Sequence, residues 1–161
     1  YEINIGDWSS DVCSSDLIAV TATAAVVGGG IAIAIKIKNK ANNENAKKET
    51  DAALTEAKQL EQKGVKSTLT KSQLETICNQ IEGALNGPTE DEAAIYRAFA
   101  NAKTDVDILN LKATFGIRTT GYFIWSTFTG TLSQQLTYYF DVEEMKALND
   151  LLARKGITYR F

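Results

Sequence analysis

Few side chains in this 161-residue sequence have the types and spacing that chemistry requires. The sequence contains no His, which excludes His-based acid–base catalysis, His-containing triads and His-ligated zinc. Its two Cys are too few for a disulfide-rich scaffold or a four-Cys metal site. A formal net charge of −3 and sparse mixing of aromatic with basic residues give no reason to expect nucleic acid as a partner. A cysteine, a few acids and a group of aromatic residues remain.

The cysteine with a recognisable context is Cys78. It lies between Ile77 and Ile81 on an apolar stripe with helical spacing. A thiol in that position is expected to be a buried structural residue rather than a nucleophile. We therefore assign it no catalytic role.

The acids Glu90, Asp91 and Glu92 stand together in the first turn of a predicted helix. Acids are stabilising there because they face the positive end of the helix dipole. The alternative is a small envelope hydrolase that uses helix-start carboxylates such as Glu90, Asp91 or Asp141. That alternative requires two of them to converge in a cleft with perturbed pKa values. We expect a structural role, no enzyme activity and no cofactor.

An aromatic segment at residues 119–129 is the candidate binding surface. It is rich in Thr, and Gly121 and Gly130 flank its aromatic residues. Either the segment inserts into the core, or it forms an exposed patch that meets protein, glycan or a membrane interface. A neighbouring arginine could add a cation–π or anion contact. The candidate residues are Tyr122, Phe123, Trp125, Phe128 and Arg118.

Helix-start signals recur around these residues between Leu69 and Phe161. Capping boxes are predicted from Thr70 to Gln73, Thr89 to Glu92 and Asp141 to Glu144, and Thr104 is a further cap. Gly116 is placed to end a helix. Apolar residues follow each start at helical spacing, and no strand alternation is evident. The pattern predicts an all-α module, residues 69–161, with about five short helices in a compact bundle.

Three short stretches of this module resemble parts of an annexin repeat. Gly87-Pro88-Thr89-Glu90-Asp91-Glu92-Ala93-Ala94-Ile95 is similar to the segment Gly-x-Gly-Thr-Asp-Glu-x-x-Ile of that family. Phe115-Gly116 is similar to its Tyr-Gly helix end, and Gly130-Thr131-Leu132-Ser133-Gln134-Gln135-Leu136 to the helix that follows. The resemblance covers roughly residues 74–152 and implies a single five-helix repeat, whereas annexins usually have four such repeats.

The family's calcium chemistry transfers poorly to this chain. Annexin sites use carbonyls of the Gly-x-Gly loop and a later carboxylate, as the resemblance implies. Here Pro88 replaces the second Gly, and the later region holds Ser126, Thr127 and Thr129 but no acid. A hard cation such as calcium prefers carboxylate oxygens, and Asp141 comes too late. We expect no calcium site; an annexin-like membrane-surface binder with a degenerate site is a second alternative function.

A charge-free segment runs from Ile18 to Ile35. As a helix it would span about 27 Å at ~1.5 Å per residue, close to the thickness of a bilayer's hydrocarbon core. Three interpretations remain: a single membrane anchor over 18–37, which we prefer, the apolar part of a cleaved signal peptide, or a buried element of a soluble domain. Lysines follow at once and suit the headgroup region, but the orientation stays open; they are Lys36, Lys38 and Lys40.

The stretch 38–68 is polar and is predicted to be a helical spacer ending in a hinge. Its sparse apolar residues, Ala53, Leu54, Ala57 and Leu60, fit one thin helical stripe. A solvated spacer is the expected form, and a short coiled-coil stalk is the alternative. The hinge is placed at residues 64–68, after Gly64.

The first seventeen residues stand apart from the rest. They read Tyr1-Glu2-Ile3-Asn4-Ile5-Gly6-Asp7-Trp8-Ser9-Ser10-Asp11-Val12-Cys13-Ser14-Ser15-Asp16-Leu17 and resemble the translation of an indexed sequencing-library adapter. We expect 1–17 to be an artefact that plays no part in the fold, with the natural N-terminus missing, as is typical of sequences assembled from environmental DNA. These residues hold four acids and no base, so the remaining chain is nearly neutral.

Together these patterns predict a non-enzymatic, single-pass membrane protein with a small helical interaction or structural module. Its partners would be the membrane, through residues 18–35, and an unidentified protein. The general residue pattern of the sequence is also similar to that of small membrane-anchored proteins of bacteria and their phages.

Overall fold

The computed structural model describes residues 30–122 and 127–161, with side chains in the first range described from Glu44 onward. These residues form six helices and a two-stranded sheet. In chain order they are α1 (Gly30–Gln62), α2 (Lys71–Leu85), α3 (Glu92–Phe99), α4 (Asp105–Phe115), β1 (Arg118–Thr120), β2 (Phe128–Gly130), α5 (Leu132–Tyr139) and α6 (Val142–Arg154). The mostly helical class and the five short helices after residue 69 are confirmed.

Capping boxes begin most of the short helices, as local sequence predicts. Thr70 caps α2, Thr104 caps α4 and Asp141 caps α6, each with a reciprocal bond from the third helical residue. A box at Thr131 begins α5 in the same way. Each box satisfies backbone N–H groups that would otherwise have no partner in the first turn.

The predicted start of α3 at Thr89 is wrong. Asp91 is the N-cap, and its carboxylate accepts a hydrogen bond of 2.8 Å from the amide of Ala94. The amide of Asp91 donates in turn to the carbonyl of Ala84, over 3.1 Å, at the end of α2. That bond holds the intervening chain in a turn, so a helix can begin only after Asp91.

One apolar core joins the five short helices. Its largest fully buried side chains come from every helix between α2 and α6 and from the segment after α6. A Leu-to-Ala change in such a core costs roughly 2–5 kcal/mol. The core members from successive elements include Ile81, Phe99, Leu111, Leu136, Leu152 and Ile157.

Helix α1 is attached to this module rather than free of it. Ala53 and Ala57 are buried against Val106 and Leu109 of α4, and Leu60 packs beside them. Small side chains let the two helix backbones approach closely. The predicted apolar stripe therefore exists, except that Leu54 is 39% exposed. The sequence predicts a solvated spacer, whereas the structure buries one face of it against α4.

The contacts of α4 define two ends of the module. At one end Thr104 donates to the carbonyl of Lys66, just beyond α1, and at the other Lys112 pairs with Glu49. Helix α4 therefore runs antiparallel to α1, back towards its N-terminal half. We call the end at residues 64–69 the hinge end, and the end at residues 116–122 and 127–131 the hairpin end.

The hairpin is the one element of the described chain that an all-α expectation misses. Strands β1 and β2 are antiparallel, with Arg118 opposite Gly130, Thr119 opposite Thr129 and Thr120 opposite Phe128. Three-residue strands are too short to show alternation in the sequence. The chain leaves β1 through Gly121, whose φ of 128° suits a residue without a Cβ.

Within the described residues, no helix is long and apolar enough to cross a membrane. The predicted anchor lies outside them up to residue 29, and residues 30–35 form the start of α1. Residues 1–17 also lie outside, as do Phe123 and Trp125.

Candidate interaction surface

The hairpin is held in place by a buried amide side chain, Gln135 of α5. Its Nε2 donates to the carbonyl of Arg118 at 2.7 Å and to that of Phe128 at 3.1 Å. Its Oε1 accepts from the hydroxyl of Thr120. Because Gln135 is fully buried and its bonds reach both strands, it fixes the hairpin against the module.

Arg118 fastens the other side of the hairpin to α2. Its guanidinium pairs with Glu82, donates to Asn79 Oδ1 at 2.9 Å and to the carbonyl of Phe115 at 3.1 Å. It also lies 4.9 Å from the centre of the Phe115 ring. This cation–π contact lies within the molecule, whereas the sequence suggested one at a binding surface. The side chain of Arg118 thus joins β1 to α2.

The aromatic residues predicted for the surface divide into two groups. Tyr122 is 54% exposed beyond the end of β1. Phe128 is half-buried, and its ring stacks on Tyr138 of α5 with centroids 4.4 Å apart and planes 15° apart. Phe123 and Trp125 lie outside the described residues. The structure thus brings Phe128 together with a helix residue that was not among the predicted set.

Tyr138 is the residue of this surface that sequence reasoning missed. It is 55% exposed, and its ring meets that of Tyr139 edge-on at 4.9 Å. On α5 the buried residues are Leu132, Gln135 and Leu136. The signal available in the sequence was that Tyr138, a large aromatic residue, does not lie on the helix face formed by these buried residues.

A charged group joins α1 to the base of the hairpin. Glu49 accepts from the hydroxyl of Thr131 at 2.6 Å and pairs with Lys112 at 3.1 Å. Lys112 also donates to the Tyr159 hydroxyl and lies over that ring. The hydroxyl of Ser133 is close enough to act on the same carboxylate, although it forms no well-aligned hydrogen bond.

The contacts of Glu49 and Lys112 determine the direction in which the pKa of each group shifts. Burial alone raises the pKa of Glu49, but the nearby hydroxyls of Thr131 and Ser133 and the ammonium of Lys112 outweigh it, so the pKa is lowered. Burial lowers the pKa of Lys112, and the hydroxyl of Tyr159 and the carboxylate of Glu49 outweigh that effect, so the pKa is raised. Both groups are therefore charged at neutral pH.

At the hinge end, Asp107 binds the chain around it. Its side chain is fully buried and accepts from the amides of Thr68 at 2.7 Å and Leu69 at 3.2 Å. Hydroxyls and further amides complete the set, from Ser67, Thr68, Lys103 and Thr104. Burial alone raises the pKa of Asp107, but these bonds outweigh it and the pKa is lowered. The predicted hinge is thus tied to α4 by one carboxylate.

Asp105, two residues earlier in α4, holds the C-terminal segment in the same manner. Its carboxylate accepts from the amides of Thr158 at 2.7 Å and Tyr159 at 2.6 Å. The hydroxyl of Thr158 adds a third bond at 3.0 Å. The segment after α6 is thereby fixed against the N-terminal end of α4.

Cys78 is fully buried in the core. Burial raises the pKa of its thiol to about 11, and Sγ donates to the carbonyl of Leu111 at 3.6 Å. A thiolate is the reactive form of cysteine, and at neutral pH this thiol stays protonated. The position is that of a structural residue.

The acids considered for hydrolysis lie at helix starts. Asp91 caps α3 and Asp141 caps α6. Glu92 meets Glu144 of α6, and the hydrogen bond between these two carboxyl groups raises the pKa of Glu92. The two acids come from different helices, so the local sequence pattern does not show that they are neighbours. Among the described residues, no group of three Cys or acidic side chains is arranged to hold a metal ion.

An open apolar groove of about 530 Å³ lies where α5 meets α6. Phe140, Val142, Met145 and Phe161 line it, and Val142 is 85% exposed. Asp141 is also on its wall, but its carboxylate is engaged by the amide of Glu144 at 2.8 Å. The groove therefore offers apolar surface rather than a pair of reactive acids.

No protein-family model, curated protein or solved structure matches the chain. The resemblances to an annexin repeat and to a sequencing adapter therefore stay predictions.

Proposed function

We propose that this chain is a non-enzymatic, membrane-anchored helical interaction module whose binding surface is its hairpin end. The observation that carries the proposal is the continuity of α1. This helix runs from Gly30, inside the charge-free segment, to Gln62, where it is packed on the module. A segment held in a membrane would therefore hold the module as well.

The attachment of α1 also limits how far the module stands from that segment. Glu49 is the point at which α1 meets α4 and the base of the hairpin. From Ile35 to Glu49 a helix rises about 21 Å at ~1.5 Å per residue. The module would thus be carried on a short helical rod close to the membrane, and not on a flexible tether.

The hairpin end supports a binding role through what it exposes. Three of the six described large apolar side chains that stand exposed are at or beside the hairpin: Ile117, Tyr122 and Tyr138. Gln135 and Arg118 hold the strands beneath them. A surface that is already ordered loses less entropy on binding, and Tyr is a favoured anchor at interfaces.

Membrane fractionation of the full chain tests the anchor. The chain should sediment with membranes and resist alkaline extraction. Val26→Arg combined with Ile31→Arg should release it, because each charge costs about 2.5–3.5 kcal/mol at the centre of a membrane helix. Val26→Leu combined with Ile31→Leu is the matched control and should remain in the membrane.

Two results would contradict the proposal. One is a full-length parent chain that stays in the soluble fraction or is removed by alkaline treatment. The other is a shortened soluble product, which would show that 18–35 belongs to a cleaved signal peptide.

A further inference from the structure

We infer that the hairpin end rests on the lipid–water interface of the membrane that holds residues 18–35, so that the bilayer itself is the partner of its exposed aromatic side chains. This inference rests on the proposed anchor. It adds what the hairpin end meets and which way the module faces.

The first step is direction. Helix α4 runs antiparallel to α1, passes Glu49 at Lys112 and continues into β1. Helix α2 runs alongside α4, because Cys78 meets Leu111 and Asn86, after α2, accepts a bond of 2.9 Å from the amide of Gly121. Both helices therefore run from the hinge end to the hairpin end. The N-terminal half of α1 extends in that same direction.

The second step is height. The base of the hairpin lies level with Glu49, because Thr131 bonds to that carboxylate. Tyr122 comes four residues after Arg118, and only Arg118–Thr120 are strand, so the backbone between the two spans at most about 13 Å at ~3.3 Å per residue. On α1, Lys40 lies nine residues before Glu49, about 14 Å along the helix. Tyr122 therefore lies at most at the level of Lys40, three residues beyond the anchor predicted over 18–37 and among the lysines that suit the headgroup region.

The third step is charge. Between Ile35 and Glu49, α1 carries five lysines and a single acid, Glu44. Lysines beside a membrane segment extend into the headgroups, and they attract anionic lipids. The five are Lys36, Lys38, Lys40, Lys47 and Lys48. The stretch of α1 between the anchor and the module thus has the charge that a lipid surface favours.

The fourth step is the side chains themselves. Tyr122 and Tyr138 are each more than half exposed, and Tyr138 stacks on Phe128 at the outer end of β2. Tyrosine is enriched at bilayer interfaces because its ring is apolar and its hydroxyl remains hydrated. At the hinge end the described large apolar residue that stands exposed is Val65. The hairpin end therefore exposes tyrosines, which a bilayer interface favours, whereas the described hinge end exposes a valine.

Fluorescence quenching in vesicles tests the inference on the full chain. A Cys13→Ser parent removes the N-terminal thiol, and buried Cys78 should not react. Tyr122→Cys, Tyr138→Cys and Val65→Cys are each labelled with an environment-sensitive dye. The proteins are reconstituted in phosphatidylcholine–phosphatidylglycerol vesicles that contain lipid spin-labelled at the headgroup. Quenching should be several-fold stronger at positions 122 and 138 than at position 65.

Two outcomes overturn the inference, and they are distinguishable. If the chain floats with the vesicles but positions 122 and 138 are quenched no more than 65, the anchor stands and the hairpin end faces water, as a protein-binding surface would. If the chain does not float, the anchor fails and the inference fails with it. Agreement between positions 122 and 138 guards against one variant that misfolds locally.

Discussion

At both the hinge end and the hairpin end, a buried polar side chain binds two segments of the chain, but the two ends expose different surfaces. At the hinge end Asp107 collects amides and hydroxyls from two connecting segments. At the hairpin end Gln135 collects carbonyls from two strands. The bonds to Asp107 join two segments of the chain to each other and to α4. Beyond Gln135, by contrast, the rings of Tyr122 and Tyr138 are exposed. Polar side chains buried in the fold thus fix both ends, and only one of them exposes aromatic surface.

Among substitutions of the side chains that hold the two ends, the largest effect is expected at the hinge end, in Asp107→Asn. The amide would direct an NH₂ group at donors that now meet a carboxylate, and charged hydrogen bonds contribute about 1.5–3 kcal/mol each. We expect the free energy of unfolding to fall by about 3 kcal/mol in denaturant titrations. Asp51→Asn on the exposed face of α1 is the control and should change it by less than ~0.5 kcal/mol. Equal, small losses for both variants would show that Asp107 does not hold the hinge.

Acid should weaken the same contacts. Because the pKa of folded Asp107 is lowered, its contribution is complete above the unfolded value of about 3.9 and is lost as the pH falls through the folded pKa. Glu49 shifts in the same direction. The free energy of unfolding should therefore decline below about pH 4, and less steeply in Asp107→Asn. Parallel pH curves for the parent and the variant would contradict this assignment.

An intermediate effect is expected where α1 meets the hairpin base. The side chains of Lys112 and Glu49 are 11% and 27% exposed, so their coupling energy should be about 1–2 kcal/mol in a double-mutant cycle of Glu49→Gln and Lys112→Met. The exposed pair Lys146 and Asp150 is the matched control and should couple by about 0.5 kcal/mol or less. A cycle at Glu49 as weak as the control would mean that α1 is held by its alanines alone.

The smallest effect on stability is expected at the exposed aromatics. Tyr122→Ala should leave the free energy of unfolding within ~1 kcal/mol, since no core cavity forms. From the sequence we predict the same for Trp125→Ala. Phe99→Ala, at a fully buried ring, is the contrast and should cost about 3–5 kcal/mol. A Trp125→Ala chain that unfolds outright would make the hairpin loop structural and remove its role as a surface.

The helices could be predicted because their signals are local. The caps at Thr70, Thr104 and Asp141 and the core side chains around Ile81 follow from spacings of three or four residues. The start of α3 was misplaced because the bond from Asp91 to Ala84 depends on how α2 ends. A pattern read in a short window does not contain such a partner.

The features that hold the two ends are long-range, and therefore local sequence does not show them. Asp107 reads as a cap partner of Thr104, yet its other partners lie 39 residues away, at Thr68. The bond between Thr131 and Glu49 spans 82 residues. Gln135 is polar in a helix and gives no sign that it is buried beneath a hairpin. Of the candidate surface, the sequence supplied Tyr122 and Phe128 but not the ring of Tyr138 that stacks on Phe128.

Hydrogen exchange of the full chain, compared in lipid vesicles and in an amphipathic polymer without a bilayer, tests the contrast between the ends most directly. If the hairpin end meets the membrane, the amides of Tyr122 and Thr127 should exchange more slowly in vesicles. The amides of Thr68 and Leu69, which Asp107 already binds, should exchange equally slowly in both. Equal rates at the hairpin in the two environments, or a change confined to Thr68 and Leu69, would contradict the account.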